Sequence, residues 1–360
     1  MKRNFYRNVV IVILISFFTL SIIPNVLGKT RSTYLTDFLH QTEIQSEGFK
    51  NGISQEDTIS PEATTYALEI LSISHDIDLQ INLEDDLQEM FETDNIILYN
   101  LYFLLKSLNL LDYSIGGSLK NSTLNFMKAT QQFGGGFSFS NTTSSASLSS
   151  TYFAYQIYSL LEELFPNETL HKNWILDNNN SDGGYGGNSS LSSTLLNTYH
   201  ALSLLDEMNS VNELANKSQT LVYLNSFLSN DSADIKNFGG YVPDLITKIT
   251  LLSSTYYCII SLSILEESFP NKDLTINWIL SRQSFQDGGF ADFIDGTYQL
   301  GSSVISSYYA YSTLIELNAK GRLDSQIWMV EFNYWILLII FVFIAVIAGV
   351  GIYIWRRRRI

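Results

Sequence analysis

The chain has 360 residues, of which 36 are acidic and 21 basic, and it contains one cysteine. All of the acidic residues but only 14 of the basic ones lie between residues 29 and 333. Such an acidic segment argues against nucleic acid and anionic membrane surfaces as partners. With Cys258 alone no internal disulfide can form, so stability has to come from a large apolar core.

The N-terminus has the composition of a secretory signal. Lys2, Arg3 and Arg7 precede the apolar run "VVIVILISFFTLSII", and Val26 and Gly28 occupy the small-residue positions before a cleavage site. This pattern predicts a signal peptide over residues 1–28. An uncleaved N-terminal anchor is the alternative.

After the signal, a glycine followed by an aromatic residue recurs at roughly 50-residue intervals. The motif occurs as Gly48-Phe49, Gly136-Phe137, Gly184-Tyr185, Gly240-Tyr241 and Gly289-Phe290. One longer gap leaves room for a unit without the glycines, around "EDDLQEMFETDNIILYNLYFLLKSL" at residues 84–108. The sequence therefore predicts six repeats.

Each repeat has apolar residues at helical spacing on both sides of the glycine turn. A shorter helix, such as "LTINWILSRQ", enters the turn, and a longer one, such as "SSVISSYYAYSTLIEL", follows it. One such hairpin cannot bury its apolar side alone, so the hairpins have to stack. We expect an all-α (α/α)6 toroid over residues 29–325, with the longer helices inside. An open superhelical solenoid is the alternative, since periodicity does not show closure.

The Asp-Gly-Gly-aromatic turn and the small-residue and aromatic inner helix resemble the prenyltransferase and squalene-cyclase repeat. The segment "GGFADFIDGTYQLGSSVISSYYAYSTLIEL" looks most like the last repeat of protein prenyltransferase β subunits. The resemblance covers roughly residues 34–320. It implies the α/α toroid of those subunits and of terpene cyclases.

The catalytic residues that the resemblance implies are missing. The transferases hold zinc with an Asp, a Cys two residues later and a His in the last inner helix. Here Thr297 follows Asp295 where the Cys would stand, and the His position falls near Ser306. No Asp-x-Asp-Asp acid motif of the cyclases occurs either. We therefore expect no zinc site and no cofactor.

The inner helices offer hydroxyl groups at their starts and tyrosines further along. If the ring closes, the helix starts meet at one mouth, where N–H groups and hydroxyls could hold a polar group. Ser and Thr also cap helices, and tyrosines at helical spacing also pack in cores, so both features have structural explanations. We expect the inner ring to be aromatic through Tyr152, Tyr155, Tyr199, Tyr256, Tyr257, Tyr308, Tyr309 and Tyr311. The predicted ligand-binding residues are Tyr152, Tyr199, Tyr256, Tyr308, Tyr309 and Ser306.

Catalytic candidates are weak. His200 and Cys258 fall at similar positions on neighbouring inner helices and could pair a base with a nucleophile. Asp295 is the remaining acidic candidate of the last repeat. Asp182 and Asp287 of the glycine turns could form an acidic pair for glycoside cleavage, although turn capping explains them as well.

The C-terminal region has the pattern of a membrane anchor. Residues 334–355 contain no charge, which is long enough to cross a bilayer, and Arg356 to Arg359 follow directly. We expect a juxtamembrane linker at 326–333, a transmembrane helix at 334–355 and a cytoplasmic tail at 356–360. The toroid would then be extracellular at the plasma membrane. Seven Asn-x-Ser/Thr sequons, at Asn121, Asn141, Asn167, Asn179, Asn188, Asn216 and Asn230, fit an exported glycoprotein.

The sequence thus favours a single-pass, membrane-anchored surface domain that binds a lipid, glycan or peptide ligand or a protein partner. A divergent prenyltransferase or terpene-cyclase-like enzyme acting on an isoprenoid is the first alternative. A carbohydrate-active (α/α)6 enzyme is the second.

Overall fold

A computed structural model describes residues 29–326, except 57, 75–80, 82, 94–95, 293, 296–297 and 300. Residues 30–325 form one compact unit. In this part of the chain no helix is both long and apolar enough to cross a membrane. The predicted signal peptide, transmembrane helix and basic tail lie outside the described residues.

Twelve α-helices are present in the described residues, and they alternate between an outer and an inner position. The outer helices are α1 (Arg31–Thr42), α3 (Glu84–Glu92), α5 (Gly117–Thr130), α7 (Glu168–Asp177), α9 (Lys217–Asn225) and α11 (Lys272–Ser281). The inner helices are α2 (Pro61–Ser74), α4 (Leu98–Leu110), α6 (Leu148–Leu160), α8 (Leu195–Glu207), α10 (Leu252–Ile264) and α12 (Val304–Glu316). Two 3₁₀ helices, Val211–Glu213 and Lys320–Asp324, follow α8 and α12.

The inner helices form a closed ring. Each one packs against the next, from α2 to α12, and α12 packs back against α2. The predicted (α/α)6 toroid is therefore confirmed, and the open solenoid is excluded. The repeat without glycines is also present, as the pair α3 and α4. The prediction that every outer helix is the shorter one is wrong for α5, which has 14 residues.

Short strand pairs flank the turns of some repeats. The two-residue strands β1 (Glu43–Ile44) and β2 (Gly48–Phe49), β3 (Phe137–Ser138) and β4 (Ala146–Ser147), and β5 (Ile294–Asp295) and β6 (Tyr298–Gln299) form three antiparallel hairpins. Their registers pair Ile44 with Gly48, Phe137 with Ser147, and Asp295 with Tyr298.

The glycine turns are contacts between neighbouring repeats. Gly183 has φ +87°, and a Cβ placed there would lie 2.4 Å from the backbone of Gln219 in the next outer helix. Gly239 and Gly288 have the same left-handed conformation and lie against Leu274 and Tyr34, again in the next outer helix around the ring. Glycine is required here because any side chain would be strained and would separate two repeats.

The aromatic residue after each turn is anchored by the following inner helix. Phe49, Phe137, Tyr185, Tyr241 and Phe290 are all fully buried. The backbone N–H of each donates to a buried Thr or Ser hydroxyl at 2.9–3.1 Å, and we call this contact the clasp. The five accepting hydroxyls belong to Thr64, Thr151, Thr198, Thr255 and Ser307.

Where the last repeat meets the first, one buried glutamine joins the end of α11 to the start of α1. Gln283 donates from Nε2 to the carbonyls of Arg31 and Gly288, both at 2.9 Å. The Arg31 guanidinium donates to Gln283 Oε1 at 3.1 Å and to the Leu280 carbonyl at 2.9 Å. We call these contacts the closing seam.

Candidate functional site

The ring of inner helices encloses a cavity of about 400 Å³. Its wall is mostly aromatic. The aromatic lining consists of Tyr66, Tyr99, Tyr102, Phe103, Phe139, Tyr152, Phe153, Tyr199, Tyr256, Tyr257, Tyr308 and Tyr309. The ionisable side chains besides the tyrosines are Glu62, Lys106 and His200. Such a cavity suits a small ligand with a largely apolar or π-bonded surface.

The tyrosines hold one another in place. The rings of Tyr66 and Tyr308 stack at a centroid distance of 3.8 Å and an interplanar angle of 3°. The hydroxyls of Tyr257 and Tyr309 are 2.9 Å apart. Because the rings brace each other across neighbouring helices, their faces toward the cavity are preorganised.

All five tyrosines predicted to bind ligand line this cavity, and so does Tyr257. Tyr155 and Tyr311, which were also expected on the inner ring, do not line it. Sequence reasoning missed Tyr66, Tyr99 and Tyr102, which lie on α2 and α4. The available signal was their position in the first two turns of an inner helix, since Tyr152 and Tyr199 lie in the second turn of theirs. It was harder to use in α4, whose repeat lacks the glycine turn that marks the helix start.

Glu62 places a carboxyl group in the wall at the first turn of α2. It accepts a hydrogen bond from the Tyr99 hydroxyl and interacts with that of Tyr66. Burial raises the pKa of Glu62, and these two hydroxyls act in the opposite direction. No cation among the described side chains forms an ion pair with it.

Lys106 supplies an ammonium group on α4, and it is already paired. Its Nζ lies 2.5 Å from Glu69 Oε1 and 5.7 Å from the centroid of the Tyr102 ring. Burial alone would lower the pKa of Lys106, but its interactions with Tyr102 and Glu69 raise it above the ordinary value. The charge of Lys106 is therefore compensated within the wall.

His200 faces the cavity but has no catalytic partner of the predicted kind. Its Nδ1 lies 3.0 Å from Ser149 Oγ, and its ring stacks on Tyr152 at 4.6 Å. Burial lowers its pKa to about 3, so the imidazole is neutral at physiological pH and a weak base.

The predicted pairing of His200 with Cys258 is wrong. Cys258 is fully buried and its Sγ lies 3.8 Å from the Leu224 carbonyl of outer helix α9. The side chain thus points away from the cavity, and burial raises its thiol pKa well above the ordinary value. A thiol in this state is a packing residue rather than a nucleophile.

The hydroxyl-rich helix starts do not converge on a mouth as expected. In the described lining, Ser147, Ser149 and Ser150 of α6 are the hydroxyl groups of a helix start. Several of the others are used elsewhere: Thr64, Thr198, Thr255 and Ser307 form clasps, and Thr194 and Ser303 cap their helices. Ser306, predicted to bind ligand, donates from Oγ to Asp292 Oδ2 at 3.1 Å and does not line the cavity.

The backbone N–H groups of the helix starts are also partly occupied. Leu148 donates to the Gly187 carbonyl at 2.9 Å, Leu252 to Asp292 Oδ1 at 2.6 Å, and Val304 to the Asn51 carbonyl at 2.9 Å. Each of these acceptors lies in the loop before the next inner helix. These N–H groups at the helix starts therefore bind the neighbouring repeat, so fewer of them are left to donate to a ligand anion.

The turn aspartates are structural. Asp182 Oδ1 accepts from the Gly184 N–H at 2.9 Å and from Ser193 Oγ at 2.7 Å. Asp287 Oδ1 makes the corresponding bonds to Gly289 and Ser302. An acidic pair for glycoside cleavage is therefore not formed. Asp295 belongs to β5, and its side chain, like all of Thr297, lies outside the described residues.

A second cavity, of about 420 Å³, lies at the C-terminal ends of the inner helices. Tyr152 and Tyr199 line both cavities and form part of the wall between them. The second cavity is acidic and is lined by Asp206, Glu207, Glu266 and Glu316.

Comparison with known proteins identifies the family. The prenyltransferase alpha-alpha toroid domain matches the chain over residues 78–172, 160–245 and 246–331. The chain belongs to this prenyltransferase α/α-toroid family. No curated protein sequence matches it significantly.

Solved structures of the family share the fold. Protein geranylgeranyltransferase-I of Candida albicans, complexed with GGPP, is 16% identical with a TM-score of 0.58, over 74% of this chain and 86% of that chain. The type II terpene cyclase MstE from Scytonema is 12% identical with a TM-score of 0.53, over 82% and 98%. A variant of that cyclase, solved with its substrate geranylgeranyl dihydroxybenzoate, is also 12% identical with a TM-score of 0.53, over 82% and 97%. At these identities the likeness establishes the fold and leaves the chemistry open.

Proposed function

We propose that this family member is a ligand-binding toroid whose central cavity holds a small, largely apolar molecule. The observation that carries the proposal is the preorganised aromatic wall around about 400 Å³. Aromatic side chains supply much contact area for little loss of conformational freedom, and these tyrosines already brace each other. A lipid tail, a sugar face or an aromatic peptide side chain would fit such a surface.

Transfer from an isoprenyl diphosphate receives little support from the wall. A diphosphate needs several cationic groups around it. Among the lining residues described, Lys106 and His200 are the basic ones, but Lys106 is paired with Glu69 and His200 is neutral. Glu62 would repel the diphosphate. The neighbours' GGPP and geranylgeranyl dihydroxybenzoate therefore suggest at most an isoprenoid without its diphosphate.

Ligand-induced thermal stabilisation of the purified protein tests this function. The panel contains geranylgeraniol, oligosaccharides and aromatic peptides, and each is compared on the wild type, Tyr256→Ala and Tyr308→Ala. We expect at least one compound to stabilise the wild type, and each substitution to weaken its binding more than tenfold, since a buried aromatic contact contributes on the order of 2 kcal/mol.

Tyr113→Ala is the matched control, because Tyr113 is exposed and does not line the cavity. Circular dichroism verifies that each variant is folded. A panel without any binder, together with turnover of geranylgeranyl diphosphate, would replace the binding function with the enzyme one. Loss of that turnover in His200→Ala or Asp295→Ala would then identify the catalytic groups.

We also propose that the toroid lies outside the cell and is anchored by residues 334–355. The charged N-terminus before an apolar run and the four arginines after the second run support this orientation. Protease added to intact cells should digest the toroid and leave a small C-terminal fragment. Full protection of the toroid in intact cells would contradict the orientation.

A further inference from the structure

The cavity carries one uncompensated charge, which lies near the N-terminal end of inner helix α2. Glu62 lies at the first turn of α2, whereas the Lys106–Glu69 pair lies about 10 Å further along the helix axis, at 1.5 Å per residue. That pair has no net charge, and His200 is neutral. The charge of the Glu62 carboxylate is therefore left without a cation in the described structure.

The field of Glu62 reaches tyrosines on several sides. Burial raises the pKa of Tyr309, and the Glu62 carboxylate raises it further. Tyr66, Tyr99 and Tyr257 likewise have pKa values raised first by burial and additionally by Glu62. The raised pKa values keep these four tyrosines neutral. They belong to α2, α4, α10 and α12, so neutral aromatic rings surround one anion.

Neutral aromatic faces around a carboxylate attract cations. The face of an aromatic ring is negative, and an ammonium group within about 6 Å of its centroid is stabilised, most strongly where water is excluded. The wall itself provides an example, since the Lys106 ammonium lies over Tyr102 at 5.7 Å. Glu62 adds a full charge to the same attraction, and the phenol hydroxyls from Tyr99 and Tyr66 orient it.

We propose that the cavity selects an organic cation, a quaternary ammonium or alkylated amine, with Glu62 as its counter-ion. This inference rests on the proposed ligand-binding function and specifies the chemical class of the ligand. An apolar molecule of the same shape would gain the packing but not the charge interaction.

The test compares two probes of nearly equal shape, phenyltrimethylammonium and tert-butylbenzene, which differ in one positive charge. Their dissociation constants are measured by NMR titration on the purified protein. We expect the cation to bind wild type at least tenfold more tightly than the neutral probe. In Glu62→Gln the preference should fall to about twofold or less, with the affinity for tert-butylbenzene unchanged.

Glu207→Gln is the matched control. Glu207 is an exposed carboxyl on inner helix α8, it lines only the second cavity, and it accepts from Gln156 Nε2 at 2.7 Å. This variant loses the same charge, so it should retain the preference. Equal losses in both variants would show a general charge effect and overturn the inference.

The outcomes separate this inference from the function on which it rests. If both probes bind wild type equally well, the cavity is a ligand site but the choice of a cation is wrong. If neither probe binds, the cation inference is overturned, and the panel of geranylgeraniol, oligosaccharides and aromatic peptides decides the ligand-binding function on its own. The wild-type comparison decides this even if Glu62→Gln does not fold.

Discussion

Single glycines in this ring are required by the neighbouring repeat as well as by their own turn. Gly183 combines φ +87° with a backbone contact that leaves no room for a Cβ against Gln219. We expect Gly183→Ala to lower the free energy of unfolding by about 3 kcal/mol or more, from backbone strain and displacement of α9. Urea unfolding measures the change.

Gly134 offers the control in another turn, since a Cβ there meets nothing within 4 Å and its φ is not left-handed. Gly134→Ala should change the stability by less than about 1 kcal/mol. Equal effects at the two positions would show that the cost is general to turn glycines, not specific to the inter-repeat contact.

His171 makes stability depend on pH through a structural contact. Its Nδ1 accepts the Gly136 N–H at 2.7 Å, and burial lowers its pKa to about 4. Between pH 6.5 and 4 the His171 imidazole is therefore protonated in the unfolded chain but neutral in the folded protein. The contribution of His171 to the free energy of unfolding is therefore fully present above pH 6.5, and it is lost as the pH falls toward 4.

Replacing the imidazole should remove this dependence. Between pH 6.5 and 4 we expect the unfolding free energy of His171→Gln to fall less steeply than that of wild type, by up to about 1.4 kcal/mol per pH unit. Urea unfolding at several pH values gives both slopes. Parallel slopes would mean that His171 becomes protonated in the folded state, against the burial argument.

At the scale of elements, the clasp explains why five of the six inner helices begin with hydroxyls. Thr198 accepts the Tyr185 N–H at 3.0 Å and donates to the Thr194 carbonyl at 2.8 Å. Thr198→Val keeps the shape but leaves a buried N–H without an acceptor, so we expect a loss of about 1–3 kcal/mol in urea unfolding.

Thr123 provides the comparison, because it is also fully buried and its hydroxyl donates to the Leu119 carbonyl of its own helix at 2.9 Å. Thr123→Val should cost less than about 1 kcal/mol. If Thr198→Val is equally mild, the clasp does not hold the turn to the helix.

The elements were predictable because the repeats show one pattern several times. The glycine-aromatic turn marks five of the six hairpins, and helical spacing predicts α3 and α4, where the glycines are absent.

The site was predictable only in part. Tyrosine positions follow from helix period. The direction of Cys258 toward α9 and the hydrogen bond of Ser306 to Asp292 instead depend on tertiary contacts between residues that are 34 and 14 positions apart. Local pattern does not contain these contacts.

At the scale of the whole molecule, closure gives every hairpin two neighbours. In a stacked array each repeat is stabilised mainly by its adjacent repeats, so an open end is less stable than an interior unit. The cavity depends on this closure, because Tyr66 of α2 and Tyr308 of α12 stack across the α12–α2 interface. Closure thus links stability to the shape of the cavity.

The closing seam is the place to test this link. Gln283 is 1% exposed and bonds both the Arg31 and the Gly288 carbonyls. Gln283→Ala leaves two carbonyls without a donor and removes one acceptor of the Arg31 guanidinium. We therefore expect the free energy of unfolding to fall by about 2–4 kcal/mol. Hydrogen exchange should increase in α1, α2, α11 and α12, the hairpins on either side of the seam, while α5 to α8 remain protected.

Gln286→Ala is the control, because Gln286 is exposed in the same turn. This substitution should change neither the free energy of unfolding nor the hydrogen exchange of these helices. Faster exchange confined to the turn at 284–289 would show that Gln283 stabilises only its own loop, and the ring would then be held closed by helix packing alone.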